Sequence, residues 1–165
     1  MARTRTFWAR FFLVMTILTA IAIFLFSSQP GEDSAQLSEG VTLTVARVVK
    51  PSFERLSPVE KLSFMEQLGL IVRKCAHFSE FALLGLNLLG YIRMKRPETP
   101  LRAALLTAWG LATLYAGTDE LHQMFVDQRG PAILDVGIDS AGALTGVLMM
   151  ALALYLLARK IKALR

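Results

Sequence analysis

The sequence predicts an all-α, polytopic membrane protein. It should have about four transmembrane helices and an interfacial amphipathic helix in its first outer connection. Three observations predict this. Of the 165 residues, 54% are apolar. The apolar residues gather in four stretches, Phe11–Phe26, Cys75–Ile92, Ala103–Gly117 and Val136–Ala158, which extend through flanking polar residues to spans of about 8–28, 73–94, 101–123 and 135–158. Basic residues collect at alternate ends of those stretches, and acids collect at the other ends. A helix needs about 20 residues, at about 1.5 Å each, to cross a hydrocarbon core of about 30 Å. A soluble bundle would need amphipathic stripes that these stretches lack. The whole chain, 1–165, reads as one membrane domain.

The first span, 8–28, follows Arg3, Arg5 and Arg10. A basic start and an apolar core also suit a cleaved leader. However, the segment runs into Phe26-Ser27-Ser28-Gln29-Pro30 without a clear small-x-small site, which favours a retained span.

The connection 29–72 opens with a polar run through Glu39, expected as loop. Val41, Val45 and Val48 then share a helical face, while Val41, Leu43 and Val45 also alternate as in a strand. Helix near the interface is the preferred reading. Ser57-Pro58-Val59-Glu60 is a capping box with proline at the first helical position. It predicts an amphipathic helix on the outer leaflet leading toward the second span. A packing lid over the bundle is the plainer role for it.

The second span begins Arg73-Lys74-Cys75-Ala76-His77-Phe78-Ser79-Glu80. Arg73, His77, Glu80 and Leu84 fall on one helical face. Cys75 is the only cysteine, so an intrachain disulfide is excluded, and it is expected to pack as a small apolar residue. The third span ends with Asp119, Glu120 and Gln123 on one side. The fourth begins with Asp135 and Asp139 one turn apart. Gly142 and Gly146 continue that face as a small-residue packing motif, within the chain or between two chains of a homo-oligomer.

Charge orients the chain. Arg3, Arg5 and Arg10, then Arg93, Lys95, Arg96 and Arg102, then Arg159, Lys160, Lys162 and Arg165 flank the spans on one side, beside the single acid Glu98. Basic flanks mark the cytoplasmic face, so both termini are expected in the cytoplasm. These clusters do not build a folded reader with interleaved aromatic residues, so lipid is the expected partner and nucleic acid is not.

That topology brings the start of span two, the end of span three and the start of span four to the outer boundary. His77, Glu80, Asp119, Glu120, Gln123, Asp135 and Asp139 then share one depth. Ionisable groups at mid-bilayer cost about 2.5–3.5 kcal/mol each, less toward the interface, so they should face one another. Asp119 and Glu120 sit at a helix C-terminus, where the dipole disfavours acids. They need a cation: Arg129, Arg73, Lys74, a protonated His77 or a divalent ion. Several carboxylates with one histidine suit a hard divalent ion, and zinc less well.

These residues are similar to those of the VanZ-like family of bacterial membrane proteins. The matching features are Phe26-Ser27-Ser28-Gln29-Pro30, Lys74-x-x-His77-Phe78-x-Glu80-Phe81, Asp119-Glu120-x-x-Gln123-x-Phe125, Arg129, and Asp135-x-x-x-Asp139-x-x-Gly142-x-x-x-Gly146. The chain departs from the pattern at Asp127-Gln128-Arg129, where the family often has Pro-Gly-Arg. The resemblance implies a cell-envelope role, and the family is associated with low-level teicoplanin resistance.

Two function classes stand open. In one, Arg73, Lys74, Gln123, Arg129, Asp135 and Asp139 bind a lipid head group or an envelope precursor. In the other, the protein is a membrane enzyme on an amphiphilic substrate, with His77, Glu80, Asp119 and Glu120 as acid/base groups or metal ligands. No Gly-x-Ser-x-Gly motif or phosphate loop is present. A transporter is a third reading, weakened because the chain is short for inverted repeats.

Overall fold

The computed structural model describes residues 2–129 and 133–163. It contains helices α1 (Ala2–Ser27), α2 (Gly31–Val49), α3 (Pro58–Lys95), α4 (Leu101–Gln123) and α5 (Ile133–Ala163), with a 3₁₀ turn at Phe53–Arg55 before α3. The chain is all-α over the described residues. Helices α1 (over Arg3–Ser27), α3 and α5 are each long and apolar enough to cross a membrane. Helix α4 has the length, 23 residues or roughly 34 Å. It is less apolar because Trp109, Thr113 and Tyr115 interrupt it. Their polar atoms are answered inside the protein: Trp109 Nε1 donates to Ser140 O and Oγ (both 3.1 Å), Thr113 Oγ1 bonds Ser140 Oγ (2.8 Å), and Tyr115 OH donates to Ala20 O (2.8 Å).

Helix α3 is the centre, packed against α1, α2, α4 and α5. Its contact with α5 is built from small residues. Gly142 lies against the Phe78 carbonyl, Gly146 against the Ala82 carbonyl, and Gly85 against the Ala143 carbonyl; a side chain at any of the three would strike backbone. Gly142 and Gly146 are therefore used within the chain. On α4, Ala104, Ala108, Ala112 and Ala116 form a fully buried stripe at four-residue spacing. They pack with Phe81, Leu84, Leu89, Ala143, Val147 and Ile23. Outside this core the bundle is sheathed in exposed apolar side chains, among them Ile17, Leu18, Leu25, Leu106, Leu114, Leu148 and Leu156. Such a surface belongs in lipid rather than water.

The helices alternate in direction. The start of α1 meets the end of α3 around Arg5, Arg10 and Lys95, with Phe12 packed on Gly90. The basic end of the bundle is thus opposite the acid-bearing end. Arg165 of the basic tail and residues 130–132 lie outside the described residues.

The structure corrects the connection 29–72 in two ways. The polar run expected as loop is helical from Gly31 onward. Glu32 and Asp33 stabilise its first turn against the helix dipole, and Ser38 and Thr42 donate to carbonyls one turn back. The capping box forms, with Ser57 N donating to Glu60 Oε2 (2.9 Å) and Glu60 N to Ser57 Oγ (3.4 Å). The helix it opens is not a separate interfacial one. It runs unbroken for 38 residues, roughly 57 Å, to Lys95. Helix α2 and the first half of α3 form an antiparallel pair, with Arg47 and Lys61 meeting Glu54 at its turn. Cys75 is also corrected: it is exposed in mid-helix rather than packed inside.

Candidate functional site

The alanine stripe of α4 delivers the site. Continuing its spacing past Ala116 turns Asp119 and Glu120 inward, where they are 4% and 7% exposed. Asp119 is held by donors from two helices. Its Oδ2 accepts from Ser27 Oγ (2.8 Å) at the end of α1 and from Gln123 Nε2 (3.0 Å) one turn on. Gln123 Oε1 accepts from Arg129 (3.3 Å), which also donates to the Phe26 carbonyl (3.3 Å). The result is a chain of polar contacts, Arg129–Gln123–Asp119–Ser27, closing the end of α4 over the end of α1. Burial, and next the positive charge of Arg73, push the Arg129 guanidinium below its usual range; Asp119, Glu120 and Glu80 pull the other way.

Arg129 leaves a turn in which Gln128 has φ 59°, the left-handed region that favours glycine. The Pro-Gly-Arg triplet that the family resemblance implies here would put glycine at this position. Here the Gln128 side chain accepts from Glu32 N (3.2 Å), and Asp127 O accepts from Gly31 N (3.2 Å), so the start of α2 braces the turn. The departure at Asp127-Gln128 therefore leaves the aim of Arg129 inward.

Helix α3 supplies the facing wall. Arg73, His77, Glu80 and Leu84 do share a face, as their spacing predicts. His77 Nδ1 stands 3.8 Å from Glu80 Oε2, too far for a hydrogen bond. From α5, Asp135 pairs with Lys74, and Asp139 is buried at 4% exposed. Both continue onto the Gly142 and Gly146 face.

Two openings meet here. A cavity of about 170 Å³ is lined by Arg73, Lys74, His77, Glu120, Gln123, Arg129, Asp135 and Asp139, together with Gly31, Ser34 and Gln128. Beside it, a groove of about 320 Å³ has apolar walls from Phe26, Leu37, Val41, Val72 and Ala76, and Glu80 at its edge. Ser34, Arg73, His77 and Arg129 border both. Of the residues singled out by sequence, Asp119 lies behind the cavity and Glu80 in the groove. Ser79 points elsewhere, exposed and donating to Cys75 O.

Sequence reasoning missed Ser27, Ser28 and Ser34. Ser28 bonds His122 (3.0 Å), joining α1 to α4 on the far side of Ser27. The signal for both serines was the Phe26-Ser27-Ser28-Gln29-Pro30 string, which the topology already put at the same depth as the acids.

An all-helical bundle sheathed in apolar side chains, with ionisable groups gathered at one end of its core, defines a small membrane protein rather than a soluble helical domain. The chain belongs to the VanZ/LLP1 family, whose model matches residues 12–155. No curated protein and no solved structure matches it.

Proposed function

We propose that this is a multi-pass protein of the bacterial cell membrane, with α1, α3, α4 and α5 as four spans and both termini in the cytoplasm. Its polar cavity faces outward and binds the anionic head of a lipid or of a lipid-linked envelope precursor. The observation that carries this reading is the juncture of the two openings. Arg73 and Arg129 border a cavity rich in hydrogen-bonding groups and also a groove with apolar walls. An amphiphile presents that pairing, with a phosphate or carboxylate for the guanidinium groups and a chain for Leu37, Val41 and Val72. Binding such a molecule would connect the protein to the envelope role its family suggests, including altered glycopeptide susceptibility.

The test is lipid retention by the full chain purified in mild detergent, read by native mass spectrometry. The Arg73→Ala/Arg129→Ala variant should lose anionic amphiphile relative to wild type while keeping its helical content. Equal retention by both would refute the head-group reading. Topology is tested separately, by replacing Cys75 with serine and placing a cysteine at Asp127. Impermeant thiol reagent should label it from outside the cell; labelling only after lysis reverses the orientation.

A second reading, a membrane enzyme acting on the same amphiphile, draws support from the burial of Asp119 and Glu120 beside His77 and Glu80. Catalysis would make the variant His77→Ala lose turnover of the bound amphiphile while retaining it.

A further inference from the structure

We propose that His77, Asp119 and Asp139 bind one divalent transition-metal ion, of the zinc or manganese class, where α3, α4 and α5 meet. Each residue offers one ligand atom, and the three atoms lie within 4.8 Å of one another. An ion with tetrahedral bonds of about 2.0–2.2 Å holds its donors roughly 3.4 Å apart, so side-chain adjustments of about 1 Å close the set. Both aspartates are buried, each only 4% exposed.

The unsatisfied atoms point the same way. His77 Nδ1 and Asp119 Oδ1 are buried without a hydrogen-bond partner. The other oxygen of Asp119 is fixed by Ser27 and Gln123, which orients the carboxylate and leaves Oδ1 for another partner. Glu80 Oε2 is likewise buried and unpartnered, 3.8 Å from His77 Nδ1, and is the candidate fourth ligand. Of the cations lining the cavity, Lys74 is paired with Asp135, and Arg129 donates to Gln123 and the Phe26 carbonyl. The two aspartates balance a divalent charge within the core, and an oxygen-rich set with one imidazole suits manganese or iron, and zinc less well.

The proposal does not depend on the amphiphile. It is tested on the full chain in detergent, stripped with chelator and titrated with Zn²⁺ or Mn²⁺ alone. Wild type should take up one ion per chain. Asp119→Asn and Asp139→Asn should weaken uptake by on the order of 100-fold, while Asp127→Asn, on an exposed turn, should not. X-ray absorption of the zinc-loaded His122→Ala chain, whose one remaining imidazole is His77, should show imidazole in a shell of oxygen ligands, which decides the matter even if the aspartate variants misfold. Substoichiometric uptake, uptake unchanged in the variants, or a shell without imidazole would each overturn the site. Loss of lipid retention would leave these readouts unmoved, so the two proposals fail separately.

Discussion

From Phe78 to Gly90, helix α3 is pressed backbone to backbone against α5 and ring to backbone against α1. From Pro58 to Val72, it faces α2 across a groove of about 700 Å³. The lower half buries Phe81, Leu84, Gly85, Asn87, Leu89 and Gly90, whereas in the upper half only Gly69 is buried. Glycine shows the contrast most directly. At Gly146 an added Cβ would strike the Ala82 backbone, while at Gly69 it would meet Thr42 Oγ1 at 3.9 Å, an ordinary contact. One continuous helix is thus clamped at one end and loosely braced at the other, and the polar cluster sits at the change between them.

The sharpest test of that contrast is Gly146→Leu. The helices must separate to admit the side chain, so a loss of about 3 kcal/mol is expected, read as a large fall in thermal midpoint in detergent. Near-wild-type stability would mean that the α3–α5 seam is looser than its geometry. At the boundary, Ser27→Ala removes a buried donor from Asp119. A cost of about 1–3 kcal/mol is expected in the same assay, with Ser27→Thr retaining much of it. The smallest change falls in the arm. Gly69→Ala fits without displacement and improves helix propensity, so it should stabilise by about 0.5–1 kcal/mol. A destabilised Gly69→Ala protein would erase the distinction between the two halves.

Much of this was legible because it depended on local signals. The Ser57–Glu60 capping box, the acids at the end of α4 and start of α5, and the small residues of α5 all carry their meaning within one or two turns. Helix α2 was legible in its second half, where Val41, Val45 and Val48 share a face, but not in its first. From Gly31 to Glu39 there is no apolar period, and the serines read as loop until Ser38 donates back into the helix. The extent of α3 was hidden for a related reason, since a capping box announces where a helix begins but not where it stops. Within the site, the shared face of Arg73, His77 and Glu80 followed from spacing. The bond from Ser27 to Asp119 did not, because it spans 92 residues and depends on how α1 meets α4.

The indole and hydroxyl groups of α4 carry an implication for biogenesis. Alone in hydrocarbon, Trp109 and Thr113 would have no acceptors beyond their own helix, and each unmet polar group is expensive there. Both find theirs on Ser140, a residue synthesised later. On the four-span reading, α4 should therefore partition poorly by itself and enter the bilayer together with α5 as a helical hairpin, so a nascent chain halted before Ser140 leaves the translocon with its third crossing unfinished.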